Sequence, residues 1–142
     1  MAVTLAVLKV ETALAACRGD LALALALIDQ YRMSLLEERA ALVQAQATAP
    51  PDWEAVRERV HRLQSGSGYL GVEQIAVAAQ RLEAEIRAQA TPTVLDAAWR
   101  ELTRAFDEFL AVPGEEWERR LRVVHRLADG AVLHPYRPGV SS

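Results

Sequence analysis

Cysteine occurs once in the 142 residues, at Cys17, which excludes an internal disulfide and a cysteine-based zinc cluster. A lone cysteine fits a reducing compartment, so the cytoplasm is the economical placement. Blocks of one charge are also missing. The 16 basic and 19 acidic residues are interspersed and leave a formal charge of -3, so no face announces itself as a tracker of phosphate backbone and nucleic acid is not an expected partner. Long hydrophobic runs are absent too. The opening stretch MAVTLAVLKVETALAAC is interrupted by Lys9 and Glu11 and has no basic region ahead of an apolar core, so it is no signal peptide. LALALALI at 21 to 28 is too short to cross a bilayer and runs into Asp29, Gln30 and Arg32. No direct membrane contact is expected.

Strand signals are lacking except for one misleading alternation, Leu21, Leu23, Leu25 and Leu27. The residues between them are alanines rather than polar groups, no β-branched residue appears before Ile28, and Ala and Leu head the helix-propensity ranking. There is also no glycine-rich phosphate loop followed by Lys and Ser or Thr, and no kinase motif set. The chain has no ATP-binding machinery in sequence.

What is present is a series of helices. Turn-forming clusters divide them: RGD at 18 to 20, TAPPD at 48 to 52, a glycine-rich stretch at 66 to 71, TPT at 91 to 93 and PG at 113 to 114. Asp20 after Gly19 supplies an N-cap for a helix expected to run to about Thr48. The next helix is expected to take Pro51 into its first turn. From Val72, the residues Ile75, Ala79, Leu82 and Ile86 recur at helical spacing, and from Thr93 so do Leu95, Ala98, Leu102, Phe106 and Phe109. An amphipathic segment from Glu115 to about Ala128 follows, and residues 129 to 142, with two prolines and two glycines, are expected to form a flexible tail. The length is that of one domain, and an all-α antiparallel helical bundle is the expected architecture.

The chemistry concentrates in HRLQSGSGYLG, residues 61 to 71. On a helical wheel Trp53, Val56, Val60, Leu63 and Ser67 share one stripe that must face the core. His61 falls at the edge of that stripe beside Arg57, Gln64, Ser65 and Gly68, held by the helix yet reachable from solvent. The small residues Ser65 and Gly68, one and two turns further on, leave space for a partner surface. Gln64 stands where it can hydrogen-bond whatever the ring carries. A histidine of ordinary pKa is mostly neutral at pH 7, so one ring nitrogen offers a lone pair without a neighbouring base. The other conspicuous groups have structural explanations. His125 lies near a helix C-terminus and His134 beside Pro135. Glu37 and Glu38, like Glu115 and Glu116, lack convergent partners and belong to solvated faces. Trp53, Trp99, Phe106 and Phe109 fit the core, Trp117 packs the last helix on the bundle, and Cys17 is a small buried residue near a helix end.

HRLQSGSGYLG followed by VEQIAVAAQRLEAEIR resembles the histidine-containing phosphotransfer (HPt) domains of bacterial phosphorelays, with Leu82 and Glu83 as the later Leu-Glu pair. Gly68, Tyr69, Leu70, Gly71 and Val72 are most similar to the C-terminal HPt modules of tripartite hybrid sensor kinases of the Gac and BarA type. The likeness covers about residues 4 to 112. It implies a four-helix bundle core, which with an additional N-terminal helix is expected to occupy residues 1 to 112; residues 113 to 128, too few to make a core of their own, are expected to pack on it as a helical extension. The likeness further implies that His61 accepts a phosphoryl group from a receiver-domain aspartyl phosphate and passes it to another receiver. The partners implied are the receivers of a hybrid sensor kinase and of a response regulator. The magnesium ion belongs to the receiver and the domain needs no cofactor of its own. A parent sensor kinase would tether the module to the inner membrane. Two positions depart from the pattern: Gln64 stands where the family has lysine and offers no positive charge, and Ser65 stands where it has glycine. Slower transfer or a shorter-lived phosphohistidine is the expected result. From the residues, two other readings stay open: a receiver-binding module with weak or no transfer, and a helical interaction protein outside signalling.

Overall fold

A computed structural model describes residues 4 to 133. Among these residues there are six helices and no strand: α1 (Val10–Ala16), α2 (Leu21–Gln46), α3 (Trp53–Leu70), α4 (Glu73–Arg87), α5 (Pro92–Ala111) and α6 (Gly114–Leu133). Helices α2 to α5 form the four-membered bundle, and α1 and α6 pack against each other and against α2. No helix is long and apolar enough to cross a membrane.

Side-chain caps set three of the starts. Asp20 accepts from the Leu23 amide at 3.0 Å to open α2, Asp52 from the Ala55 amide at 3.1 Å to open α3, and Thr91 from the Val94 amide at 3.4 Å ahead of Pro92. Asp52 corrects one expectation: the helix begins after its cap, so Pro51 precedes the first turn instead of lying in it. A second correction concerns the glycine-rich stretch, which does not break the helix. α3 runs straight through Ser65, Gly66, Ser67 and Gly68 because Ser67 and Leu70 anchor that turn in the core. The break falls at Gly71 alone, in the left-handed region at φ 82. There the Val72 amide bonds the Ser67 carbonyl at 2.8 Å and the Gly71 amide bonds that of Gly68 at 3.2 Å.

Gly71 is needed for a second reason. A Cβ there would lie 2.7 Å from the Lys9 carbonyl oxygen and 2.7 Å from Thr12 Cβ. The extended segment before α1 runs against the α3–α4 turn: the Lys9 amide donates to the Gly71 carbonyl at 2.8 Å, the Ala6 amide to Glu73 Oε1 at 3.0 Å, and the Gln74 amide to the Ala6 carbonyl at 3.1 Å. These bonds fix where α4 starts relative to the end of α3.

The core follows the apolar stripes. Val56, Val60, Ile75, Ala79, Leu82, Ala98, Leu102, Phe106 and Phe109 are fully buried, while Trp53, Leu63 and Ile86 pack at its edge. Helix α6 joins the same core through Trp117 and Leu121. The Phe109 ring stacks on Trp117 with centroids 5.8 Å apart and receives the edge of Tyr31 at 5.3 Å. Arg32 caps the end of α5, donating to the carbonyls of Leu110 and Val112. Helix α6 continues to Leu133, past the end expected at Ala128, and Glu116–Arg120 and Glu118–Arg122 pairs one turn apart line its outer surface. Part of the expected tail is therefore helical. Its remaining residues, 134 to 142 with His134 and Pro135, lie outside the described residues.

Candidate functional site

His61 sits in the middle of α3 with 62% of its side chain exposed, and its Nδ1 lies 2.7 Å from Glu83 Oε2 on α4. Helix α4 presents Glu83 there because Leu82, its neighbour, is locked in the core and the next position along turns towards α3. Glu83 is itself nearly buried and takes three further donors. Gln64 Nε2 donates to Oε1 at 2.7 Å, and Arg87 donates to Oε2 from Nε at 3.2 Å and from Nη2 at 3.0 Å. Burial pushes the Glu83 carboxyl up, but the hydrogen bonds from Gln64, Arg87 and His61 together outweigh it and hold the group below the usual carboxylate range. An ionised carboxylate can only accept, so the proton of a neutral His61 is assigned to Nδ1. The lone pair is then on Nε2, at the far side of the ring from α4.

The other candidates divide. Gln64 is brought to the site, where one of the two hydrogens on its amide nitrogen goes to Glu83. Arg57 is one turn before His61 and is paired with Glu54, through Nε to both carboxylate oxygens at 3.0 and 3.1 Å and through Nη2. Ser65 is exposed and its hydroxyl points back to the Arg62 carbonyl at 3.5 Å. Gly68 is exposed as well, and a Cβ added there or at Gly66 would meet nothing within 4 Å. The interior does not require either glycine, although each costs a helix about 1 kcal/mol relative to alanine.

Two groups are elsewhere. His125 faces Asp129 of its own helix at 3.5 Å, and Cys17 is buried, with burial and then Asp20 pushing its thiol up. No cluster of metal-ligating side chains occurs among the described residues. A cleft of about 430 Å³ runs between α2 and α3 past Tyr31, Leu63 and Gly66 and does not include His61.

Sequence reasoning missed Glu83 as the orienting group and expected the imidazole to need no neighbour. The signal was available: on the stripe Ile75, Ala79, Leu82, Ile86 the carboxylate of Glu83 falls four residues after Ala79 and three before Ile86, inside a buried face. A carboxylate in that place must have partners.

The Hpt domain family matches residues 26–112, more than half of the sequence, and the chain belongs to that family. It is a histidine phosphotransfer intermediate of a phosphorelay, a carrier and not a kinase, and proteins of this class interact with receiver domains. No curated protein and no solved structure matches the chain.

Proposed function

We propose that His61 is the phosphate-carrying residue and that it reacts through Nε2. The contact between Nδ1 and Glu83 is the observation that supports this most directly, because it leaves one nitrogen with its lone pair and points that nitrogen away from the bundle. In the forward step the Nε2 lone pair forms a P–N bond as the P–O bond to the receiver's aspartate breaks, and the aspartate leaves with the electron pair as a carboxylate. The ring gains positive charge while its proton stays on Nδ1, where ionised Glu83 faces it. In the return step the P–N bond breaks and the ring departs neutral, again without moving that proton. Gln64 and Arg87 act through Glu83 by keeping it charged and in place.

The uncovered backbone at Gly66 and Gly68, with Ser65 beside it, suits close approach of a receiver's phosphorylated loop. The cognate receivers proposed are those of a hybrid sensor kinase and a response regulator in the cytoplasm, and the Gly68 to Val72 stretch favours the Gac and BarA type. The test is transfer from a phosphorylated receiver to native protein, His61→Gln and Glu83→Gln at equal helicity. Acid-labile label on the native protein, none on His61→Gln and transfer slowed at least tenfold in Glu83→Gln is the expected pattern. Receiver binding without label on the native protein would leave a docking module that has lost transfer.

A further inference from the structure

Side chains on a helix lean towards its N-terminus, so the His61 ring covers the turn that begins at Arg57. Exposure agrees with that placement: the Arg57 side chain is 23% exposed, against 58% for Arg87 and 62% for His61. Glu54, two turns before His61 and under it on the outer face, draws the Arg57 guanidinium outward. Arg57 and His61, one turn apart on α3, are neighbours on the helix surface, and Arg57 lies within range of the Glu83 charge as well. The alternatives are less well placed. Arg87 is bonded to the same Glu83 oxygen that faces Nδ1, and Gln64 is uncharged and gives one of its two amide hydrogens to Glu83.

A phosphoryl group on Nε2 brings negative oxygens to a place where the fold has put a half-covered cation. The Glu54 pair uses Nε and Nη2 of Arg57 and leaves both Nη1 hydrogens and one on Nη2. A planar guanidinium fork fits two phosphoryl oxygens. We propose that Arg57 binds the phosphoryl group once His61 carries it, through the N–H groups that Glu54 leaves free. This rests on the reading of His61 as the carrier. By withdrawing charge from the phosphoryl oxygens, Arg57 slows spontaneous loss of the group to water and disfavours its protonation, while Glu54 keeps the guanidinium in position between cycles.

Phosphoramidate, a small phosphoryl donor, separates this role from receiver docking. Native protein, Arg57→Gln, Arg57→Lys and His61→Gln would be labelled with it, and the lifetime of the acid-labile label and the pH midpoint of its phosphorus resonance measured. The expected result is a lifetime shortened about fivefold in Arg57→Gln, the scale of one partly exposed charge-assisted hydrogen bond, with the midpoint moved upward and Arg57→Lys restoring most of both. Label lost in His61→Gln but with lifetime and midpoint unchanged in Arg57→Gln overturns this inference alone. Label that persists in His61→Gln overturns the carrier reading and this inference with it.

Discussion

Helices α3 and α5 belong to one bundle and both pack on α4, yet they answer to different constraints. α5 carries one apolar stripe, Leu95, Ala98, Leu102, Phe106 and Phe109, and every member is buried. α3 buries Val56, Val60, Ser67 and Leu70, but on its outer side it keeps two glycines where an added Cβ would meet nothing within 4 Å, a histidine largely in solvent and an arginine tied to Glu54. The interior explains α5 residue by residue. It explains only half of α3, and the other half makes sense when something approaches from outside.

Substitutions can sharpen that contrast. The largest effect is expected from Phe109→Ala on α5, which empties the space between Tyr31 and Trp117 and should cost about 3–5 kcal/mol in denaturant unfolding. His61→Gln on α3 should leave the same unfolding curve within about 0.5 kcal/mol while abolishing label. A substitution on the outer side of α3 as damaging as Phe109→Ala would break the comparison.

Glu83 comes next. Its carboxyl is held below the usual range of about 4.3, so the stability it contributes is complete above that range and is lost as pH falls through its lowered folded-state pKa. Glu83→Gln should lower stability at pH 7 by about 1.5–3 kcal/mol, the scale of hydrogen bonds to a buried charge, and flatten the acid limb of a stability–pH curve.

Tyr31 ties the two regions together, its hydroxyl 2.7 Å from Ser67 Oγ of α3 and its ring against Phe109 of α5. Burial pushes its phenol up to about 12, the Ser67 bond opposing. The unfolded chain ionises near pH 10, so stability should fall as pH rises from about 10 to about 12. Tyr31→Phe should remove that slope and cost about 1 kcal/mol at neutral pH for the lost bond. The smallest effect has the opposite sign. Gly68→Ala should raise stability by about 0.5–1 kcal/mol and leave phosphoramidate labelling unchanged, while slowing transfer from a receiver. Faster receiver transfer would mean the open space is not a docking feature.

The bundle was legible in sequence because its determinants are local. Asp20 announces a cap, and the α4 and α5 stripes repeat at helical spacing. His61 was legible as a half-exposed residue for the same reason. What stayed hidden depends on two helices meeting. Nothing along α3 says that Gln64 and His61 share one carboxylate, since Glu83 comes from α4 and the bonds form only when both helices are in register. The glycine-rich stretch misled because Gly66 and Gly68 look like a break, whereas burial of Ser67 and Leu70 holds the turn helical. Helix α6 outruns its expected end because two prolines and two glycines over residues 129 to 142 suggest a tail, whereas Gly130 is carried within the helix.

The clasp at Gly71 adds a dimension of time. Ala6 and Leu5 find their partners Glu73 and Gln74 67 and 69 residues later in the chain, so while the protein is being synthesised they wait, unsatisfied, until α3 and the start of α4 have emerged. Contacts across such a span close late in folding. The register that sets Glu83 against His61 is therefore sealed by residues made long before either, and a nascent chain holding α3 alone has its histidine but not yet its orientation.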